Sequence, residues 1–413
     1  MQGSQLQADL ATEVAPTATE LELELGTEQP SGGIGEWRVR LASALTQARW
    51  PIAVYSLTRL ALAVLAIVAA GFGRRSVVYG FFRYDGQWYL RLAEHGYPTT
   101  VPHTPSTLGF LPLYPMIIRA VSAVSFTSLA RAALVVSLAG GLVAAILAYR
   151  LADAWWGERV ARRATLVFCL FPGTIVFSMA YSEGLTIPLA LGTLLALRSK
   201  RWLLAGLLAG LATAVEPVAL VLIVVCLAAA GAEIRRRGWR DRAAWRSLAA
   251  PVLSTAGIGG FAVFLWIWTG TPMATYQAQH YGWHEQGQPL ALLALPVVRH
   301  VFGHPAQVAA HILAWNLWNG ILGGLFLLLS IRLLVKLRSE LSVGTLVLTI
   351  GVAAITLWSV MTPPNARMTL VAFPAVLVWG RRLSGRRFAL FVAVEAALFV
   401  LASVLTYSGH MLP

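Results

Sequence analysis

Charged residues are scarce in this sequence. They make up 12% of 413 residues, whereas a soluble domain carries about 25%. Lysine is scarcer still, because the 32 basic residues include only Lys200 and Lys336 as lysines. This bias suggests a GC-rich bacterial genome. With 57% hydrophobic residues, the composition excludes an ordinary soluble domain, and we expect most of the surface to face lipid.

Other features are missing altogether. Two cysteines, Cys169 and Cys226, lie inside apolar runs, so neither a disulfide framework nor a metal-spaced pair is predicted. We find no P-loop, no Rossmann glycine fingerprint and no nucleophile elbow in a strand–turn–helix context. The first 36 residues are acidic and have no apolar stretch, so we expect no cleaved signal peptide. These absences disfavour secreted, nucleotide-binding and hydrolase folds.

Charge is distributed unevenly along the chain. Residues 1–36 hold seven acids and no Lys or Arg, and we predict a disordered acidic cytoplasmic tail there. Residues 37–413, predicted to form the transmembrane domain, carry 32 basic and 11 acidic residues. The basic residues sit in short clusters between apolar runs. Such spacing is typical of the positive-inside rule and not of a nucleic-acid-binding face, so no nucleic-acid partner is expected.

Long apolar runs dominate the rest of the sequence. The longest reach the roughly 20 residues that a helix needs to cross a bilayer, and helices satisfy their own backbone groups in lipid. We predict an all-α, polytopic transmembrane bundle of about 11 helices. The runs are 51–72, 129–150, 164–181, 184–198, 202–215, 217–232, 248–269, 311–331, 341–361, 368–380 and 388–407.

The basic clusters predict the orientation of this bundle. They fall in alternate turns, and those turns lie in the cytoplasm if the acidic tail does. The chain is then a multi-pass plasma-membrane protein with its C-terminus outside. Two long segments, 73–128 and 270–310, face outward. The first contains an amphipathic stretch, Trp88–His95, and an apolar stretch, Phe110–Val124, which we interpret as interfacial or re-entrant helices.

Three acids reach this outer face from distant stretches: Asp85, Glu183 and Glu216. Ionisable groups at the membrane edge suggest a functional site, and a carboxylate there can take a proton from a sugar hydroxyl or hold a metal. Each acid also has an ordinary interpretation. Asp85 can cap a helix, and the two glutamates can be water-exposed loop acids or helix-start acids. The residues alone leave these alternatives open.

Four arginines are candidates for binding a phosphate. Arg83, Arg91 and Arg367 lie outside under this topology and can form forked hydrogen bonds, although the residues alone favour Arg367 as an interfacial side chain whose charge reaches the headgroups. Arg59 lies within the first apolar run, so it must face protein or a phosphate.

A second polar stretch covers residues 276–289. Trp283 can stack on the face of a sugar. His280, His284 and Glu285 can bind a metal in principle, but their spacing matches no familiar ligand pattern, and we predict no metal site there.

Three motifs resemble the PIG-V-like mannosyltransferases of the GT-C superfamily. Arg83–Tyr97 is similar to the family's first-loop motif, a Trp-Asp followed by an aromatic pair and a Gly-Tyr. Phe110–Pro115 resembles its Phe-x-Pro-Leu-Tyr-Pro motif. Phe171-Pro172 together with Tyr181–Glu183 resembles its third motif. The likeness extends over about residues 51–380.

The resemblance implies a GT-C-like fold and a transferase. Such enzymes take a hexose, here foremost mannose, from a polyprenyl-phosphate sugar outside the cytoplasm, and generally invert the anomeric centre. By this likeness Asp85 is the general base, Glu183 orients the acceptor or supports a metal, and arginine stabilises the leaving phosphate. The implied substrate-binding residues are Trp88, Tyr89, Tyr114, Glu216 and Trp283. The implied acceptor is a lipid or glycan. The resemblance leaves open whether a divalent cation, Mg or Mn, takes part.

The sequence departs from the family pattern at three places. Tyr84 replaces the usual Trp, Glu216-Pro217 stands where Arg-Pro is common, and 365–367 reads Asn-Ala-Arg in place of Pro-Arg-Tyr. Two other functions stay open. A lipid or solute transporter, or a flippase, would show inverted repeats and ionisable groups at mid-bilayer, whereas these acids map to helix ends. A non-catalytic relative is the third interpretation, suggested by Glu216.

Overall fold

The computed structural model describes residues 34–73, 80–285, 310–359 and 363–413, and within these ranges all regular structure is helical. The chain divides into two units, Met1–Arg49 and Trp50–Pro413. The second unit carries the candidate site. Most of the predicted acidic tail lies outside the described residues, so its disorder stays a prediction.

The α-helices follow one another with short connections. They are α1 (Ile34–Gly73), α2 (Asp85–His95), α3 (Leu113–Ser125), α4 (Leu129–Trp156), α5 (Glu158–Leu170), α6 (Glu183–Arg198), α7 (Trp202–Thr213), α8 (Val221–Arg237), α9 (Ala249–Ser254), α10 (Ala256–Thr269), α11 (Ala274–Gln277), α12 (Ala310–Lys336), α13 (Val343–Trp358), α14 (Ala366–Val371), α15 (Phe373–Arg382) and α16 (Gly385–Ser408). Short 3₁₀ segments occur at Thr107–Gly109, Pro172–Ser178, Pro217–Leu220 and Ala244–Leu248, and a π-helical turn at Ala278–Gly282.

The predicted all-helical, multi-pass architecture is confirmed. Among the described residues, six helical stretches are long and apolar enough to cross a membrane: Thr46–Val68, Leu129–Trp156, Pro217–Arg237, Ala244–Thr269, Trp315–Lys336 and Gly385–Ser408. Each of the eleven predicted runs overlaps a helix, but several of these helices, such as α7 and α13, are shorter than a full span. Eleven crossings, and the interfacial position of α2 and α3, therefore stay predictions.

A broken helix organises the centre of the bundle. Helix α5 ends where Phe171 precedes Pro172, and the chain bends by 71° into the 3₁₀ segment. Proline has no N–H and disfavours helix in the residue before it. The carbonyls freed at the break need donors in an apolar interior. Buried Arg59 supplies them, with hydrogen bonds of 2.6 Å to the carbonyl of Thr174 and 3.3 Å to that of Cys169.

Two glycines bring helix α4 against the start of α6. A Cβ added to Gly140 would overlap the carbonyl oxygen of Gly184, so only glycine permits this approach. The hydroxyl of Ser137 donates to the carbonyl of Tyr181 at 3.1 Å and lies 2.8 Å from the hydroxyl of Tyr114. These contacts fix the turn that precedes α6.

We expect Gly140→Ala to destabilise the protein by about 1–3 kcal/mol, the usual range for overpacking a close contact. The new methyl group must push α4 away from the first turn of α6. The midpoint of thermal unfolding of the detergent-solubilised protein measures the effect. Gly231→Ala is the matched control, because no neighbour lies within 4 Å of a Cβ at this helical position in α8. Equal midpoints for the two variants would contradict the prediction.

Candidate active site

Asp85 begins helix α2 but does not cap it. Tyr84 occupies the N-cap position with a φ of 58°, and no side-chain hydrogen bond caps this helix. A positive φ is uncommon for a bulky residue. The hydroxyl of Tyr84 donates to the carbonyl of Met411 at 3.2 Å, which holds the turn in place. The carboxylate of Asp85 instead accepts a hydrogen bond of 2.6 Å from Nη1 of Arg367.

The two glutamates meet the same guanidinium. Glu183 is the first residue of α6, is fully buried, and accepts a hydrogen bond from Nε of Arg367. Glu216 lies between α7 and the 3₁₀ segment that follows. Its Oε1 is 3.6 Å from Nη2 of Arg367, and its Oε2 accepts a hydrogen bond of 3.1 Å from the hydroxyl of Thr186. The structure thus brings the three predicted acids together around one arginine.

Helix α14 presents Arg367 to this cluster. Asn365 caps the helix, since its Oδ1 accepts from the amide of Met368 at 2.9 Å. A Cβ on Gly173 would overlap the carbonyl oxygen of Ala366, so the broken helix at Pro172 packs directly against the start of α14. The guanidinium carbon of Arg367 lies 4.7 Å from the ring centre of Tyr181, a favourable cation–π position.

Three carboxyl groups surround a single cation in this cluster. Burial, followed by the neighbouring charge of Glu183, raises the pKa of Glu216 to about 8. Glu216 is therefore mostly protonated at neutral pH, which lowers the excess of negative charge. Two carboxyl groups then share the guanidinium of Arg367.

Glu216 should make stability depend on pH. The unfolded chain releases this proton near pH 4.3, whereas the folded protein keeps it to about pH 8. The contribution of Glu216 to stability is therefore complete below pH 4.3 and is lost as the pH rises through 8, by about 1.4 kcal/mol per pH unit inside that window. The stability difference between the wild type and Glu216→Gln, derived from thermal midpoints measured from pH 5 to 9, should change with this slope up to about pH 8 and stay constant above it. Parallel curves would contradict the prediction.

The side chains of the cluster differ in their access to solvent. The exposed fraction is 30% for Asp85, 12% for Arg367, 9% for Glu216 and 0% for Glu183. A group that exchanges a proton with a substrate must reach it. Asp85 is the acid best placed to do so, and Glu183 holds the guanidinium from the protein side.

Aromatic rings stand on the α2 side of the cluster. The half-buried rings of Trp88 and Trp283 meet edge to face, with centroids 4.9 Å apart, and both contact Phe110. Tyr89 and Tyr114 are buried behind them, with centroids 4.9 Å apart. The hydroxyl of Tyr89 donates to Ser182 and that of Tyr114 pairs with Ser137. Of the predicted aromatics, Trp88 and Trp283 are thus the two whose side chains stay half-buried, and the guanidinium carbon of Arg91 lies 5.0 Å from the ring centre of Trp88.

Two of the predicted arginines lie elsewhere. Arg83 packs its guanidinium against Gly409 and over the ring of Tyr84. Arg59 binds the carbonyls at the helix break, and within the described ranges no hydrogen bond or ion pair joins it to the three acids. The sequence interpretation missed Tyr181 and Thr186 as neighbours of the cluster, although Tyr181 belongs to the motif that contains Glu183.

Metal binding does not fit the geometry of the cluster. In the part of the chain that the structure describes, no three His, Cys, Asp or Glu side chains are arranged to hold a metal ion. The guanidinium of Arg367 lies between the carboxylates where a cation would have to sit. His280 stacks on Tyr276, and Glu285 accepts a hydrogen bond from Ser359.

Comparison with known proteins decides the family. The family model described as Mannosyltransferase (PIG-V) matches residues 50–260, which are 211 of the 413 residues. The chain belongs to this family. The matched region includes Asp85, Glu183 and Glu216. A segment of 115 residues is 31% identical to GPI mannosyltransferase 2 of Drosophila melanogaster, which is 25% of this chain and 24% of that protein.

Solved structures share the fold. The apo oligosaccharyltransferase of Archaeoglobus fulgidus matches with a TM-score of 0.50 and 14% identity, over 87% of this chain and 56% of that one. ArnT from Cupriavidus metallidurans, bound to undecaprenyl phosphate, matches with a TM-score of 0.49 and 13% identity, over 86% and 75%. At 14% identity the first likeness shows a shared fold. The chain spans about a quarter of the Drosophila relative and just over half of the oligosaccharyltransferase.

Proposed function

We propose that this protein is a membrane glycosyltransferase that moves a hexose, foremost mannose, from a polyprenyl-phosphate donor to a lipid or glycan acceptor outside the cytoplasm. One observation carries the proposal: Asp85, Glu183 and Glu216 converge on Arg367 beside two partly open tryptophans. Membership of the PIG-V family supports the reaction class. A transporter does not require a base, a cation and flat rings at one point.

The proposed reaction is a single displacement with inversion. The acceptor oxygen forms a bond to the anomeric carbon as the bond from that carbon to the phosphate oxygen breaks. The leaving polyprenyl phosphate takes the bonding electron pair, and Asp85 takes the proton of the acceptor hydroxyl. Trp88 and Trp283 would stack on the sugar, since amphipathic rings suit its apolar face.

Arg367 would couple donor binding to activation of the base. Its Nη1 is bound to Asp85 before substrate arrives. A donor phosphate competes for the same N–H group and forms the forked contact that guanidinium favours. Asp85 is then released towards the acceptor, while Glu183 keeps the guanidinium in place through Nε. Charge that develops on the phosphate is stabilised by an arginine that is already oriented.

Purified protein in proteoliposomes tests the proposal. Polyprenyl-phosphate mannose labelled in the sugar is supplied with a total membrane lipid extract, and labelled products are separated by chromatography. We expect label to appear in a new lipid or glycan product and polyprenyl phosphate to be released in equal amount. GDP-mannose alone should give no product, because the proposed donor is lipid-linked. Failure of every polyprenyl-phosphate hexose, with lipid or solute still moving across the membrane, would favour the transporter.

A further inference from the structure

An apolar slot with one carboxyl group in its wall lies beside the candidate active site. Its volume is about 130 Å³, and helices α12 and α16 form most of its wall. Leu322 and Phe326 line it from α12, and Leu398, Leu401 and Leu405 line it from α16. The slot is therefore lined almost entirely by apolar side chains and suits an apolar chain better than a large polar substrate.

Glu395 is the carboxyl group in this wall. It is the sole charged residue of the apolar run 388–407, and 4% of it is exposed. Its buried Oε2 has no hydrogen-bond partner among the described residues. A buried polar group without a partner costs about 1–3 kcal/mol, and an ionisable residue inside a membrane span suggests a function. The slot should thus hold something that satisfies this carboxyl group.

The slot is elongated along the helices. Glu395 and Leu405 are ten residues apart on α16, which corresponds to about 15 Å. Trp315 and Phe326 mark a similar length on α12. One end is lined by Ala366, the neighbour of Arg367, and by Met411. The other end is lined by Glu395. A lipid with its head at the Arg367 end would bring the middle of one chain to the carboxyl group.

We propose that this slot binds a lipid whose apolar chain carries a hydroxyl group near its middle, hydrogen-bonded to Glu395. A plain acyl or isoprenoid chain fills the apolar slot but has no O–H or N–H group, so it offers the carboxyl group of Glu395 no hydrogen bond. A hydroxyl group both donates and accepts. The recognising group, Glu395, lies outside the Arg367 cluster, so occupation of the slot can be measured without sugar transfer.

Tryptophan fluorescence tests the proposal, because Trp315 and Trp318 line the slot. Trp315 and Trp318 are 37% and 56% exposed, so the protein is kept in detergent and a phospholipid with a dibrominated stearoyl chain is added at near-stoichiometric amounts. Its chain quenches these rings when it enters the slot, and a second lipid displaces it. We expect 12-hydroxystearoyl phosphatidylcholine to compete about fivefold better than stearoyl phosphatidylcholine, as one hydrogen bond in an apolar site would give. The double variant Trp315→Phe/Trp318→Phe measures quenching of the other tryptophans, which is subtracted.

Substitutions of Glu395 identify the recognising group. Glu395→Leu should bind the brominated chain and lose the preference for the hydroxylated one. Glu395→Gln keeps the shape and a hydrogen-bonding end, and should retain most of the preference even where the leucine variant fails to fold. Equal competition by the two lipids in the wild type would overturn the proposal in favour of a plain chain. An undiminished preference in Glu395→Leu would assign recognition to another group. Neither readout requires transferase activity.

Discussion

Arg367→Met is expected to abolish sugar transfer and to lower stability by about 3–5 kcal/mol, the range observed when one partner of a buried ion pair is removed. The variant leaves Glu183, which is fully buried, without its cation, and also removes the ion pair of Asp85. Transfer should fall by at least about a hundredfold, because the phosphate loses its oriented donor. The transfer assay and thermal midpoints measure the two effects separately.

A second substitution separates charge burial from catalysis. In Arg367→Met/Glu183→Gln the uncompensated buried carboxylate becomes a neutral amide, so much of the lost stability should return while transfer stays absent. Arg381→Met is the matched control. Arg381 pairs with Glu340 through two hydrogen bonds of 3.1 Å but is 41% exposed, and such pairs contribute about 1 kcal/mol or less. An Arg367→Met protein as stable and active as this control would refute the role of Arg367.

The convergence of the acids follows from sequence features that act over long distances. The alternation of arginine clusters predicts that Asp85, Glu183 and Glu216 lie on one side of the membrane, opposite to the clusters. The helical architecture follows from the length of the apolar runs. Contacts between the helices carry no comparable pattern, so the sequence could not show that one arginine on α14 meets all three acids.

Residues in apolar runs were harder to interpret. Arg59 was predicted to face protein or a phosphate, and only the break at Pro172 explains why protein carbonyls receive its hydrogen bonds. Tyr89 and Tyr114 were predicted to bind substrate, yet their burial depends on how α2, α3 and α4 pack. Glu395 carried a usable signal, because a single acid within twenty apolar residues is expensive in lipid. Helix α12, which forms the facing wall of the slot, however, lies far from Glu395 in the sequence.

Asp85→Asn is expected to reduce transfer by about a hundredfold to ten-thousandfold, the usual contribution of a general base, with little loss of stability. Asparagine has nearly the shape of aspartate but cannot accept the proton of the acceptor hydroxyl. Asp85 is the most exposed acid of the cluster, so its charge is the least needed to compensate Arg367. Initial rates with polyprenyl-phosphate mannose, together with thermal midpoints, measure the effect.

Glu94→Gln provides the control on the same helix. Glu94 lies near the end of α2, is 63% exposed and pairs with His95, so its loss should leave rate and stability unchanged. Donor binding gives a further distinction. In Asp85→Asn no carboxylate at this position competes with the donor phosphate for Arg367. The variant should therefore bind donor at least as tightly as the wild type while kcat falls. Wild-type rates in Asp85→Asn would remove Asp85 as the base. A loss of donor affinity with kcat unchanged would instead assign it to substrate binding, since the two parameters respond to different interactions.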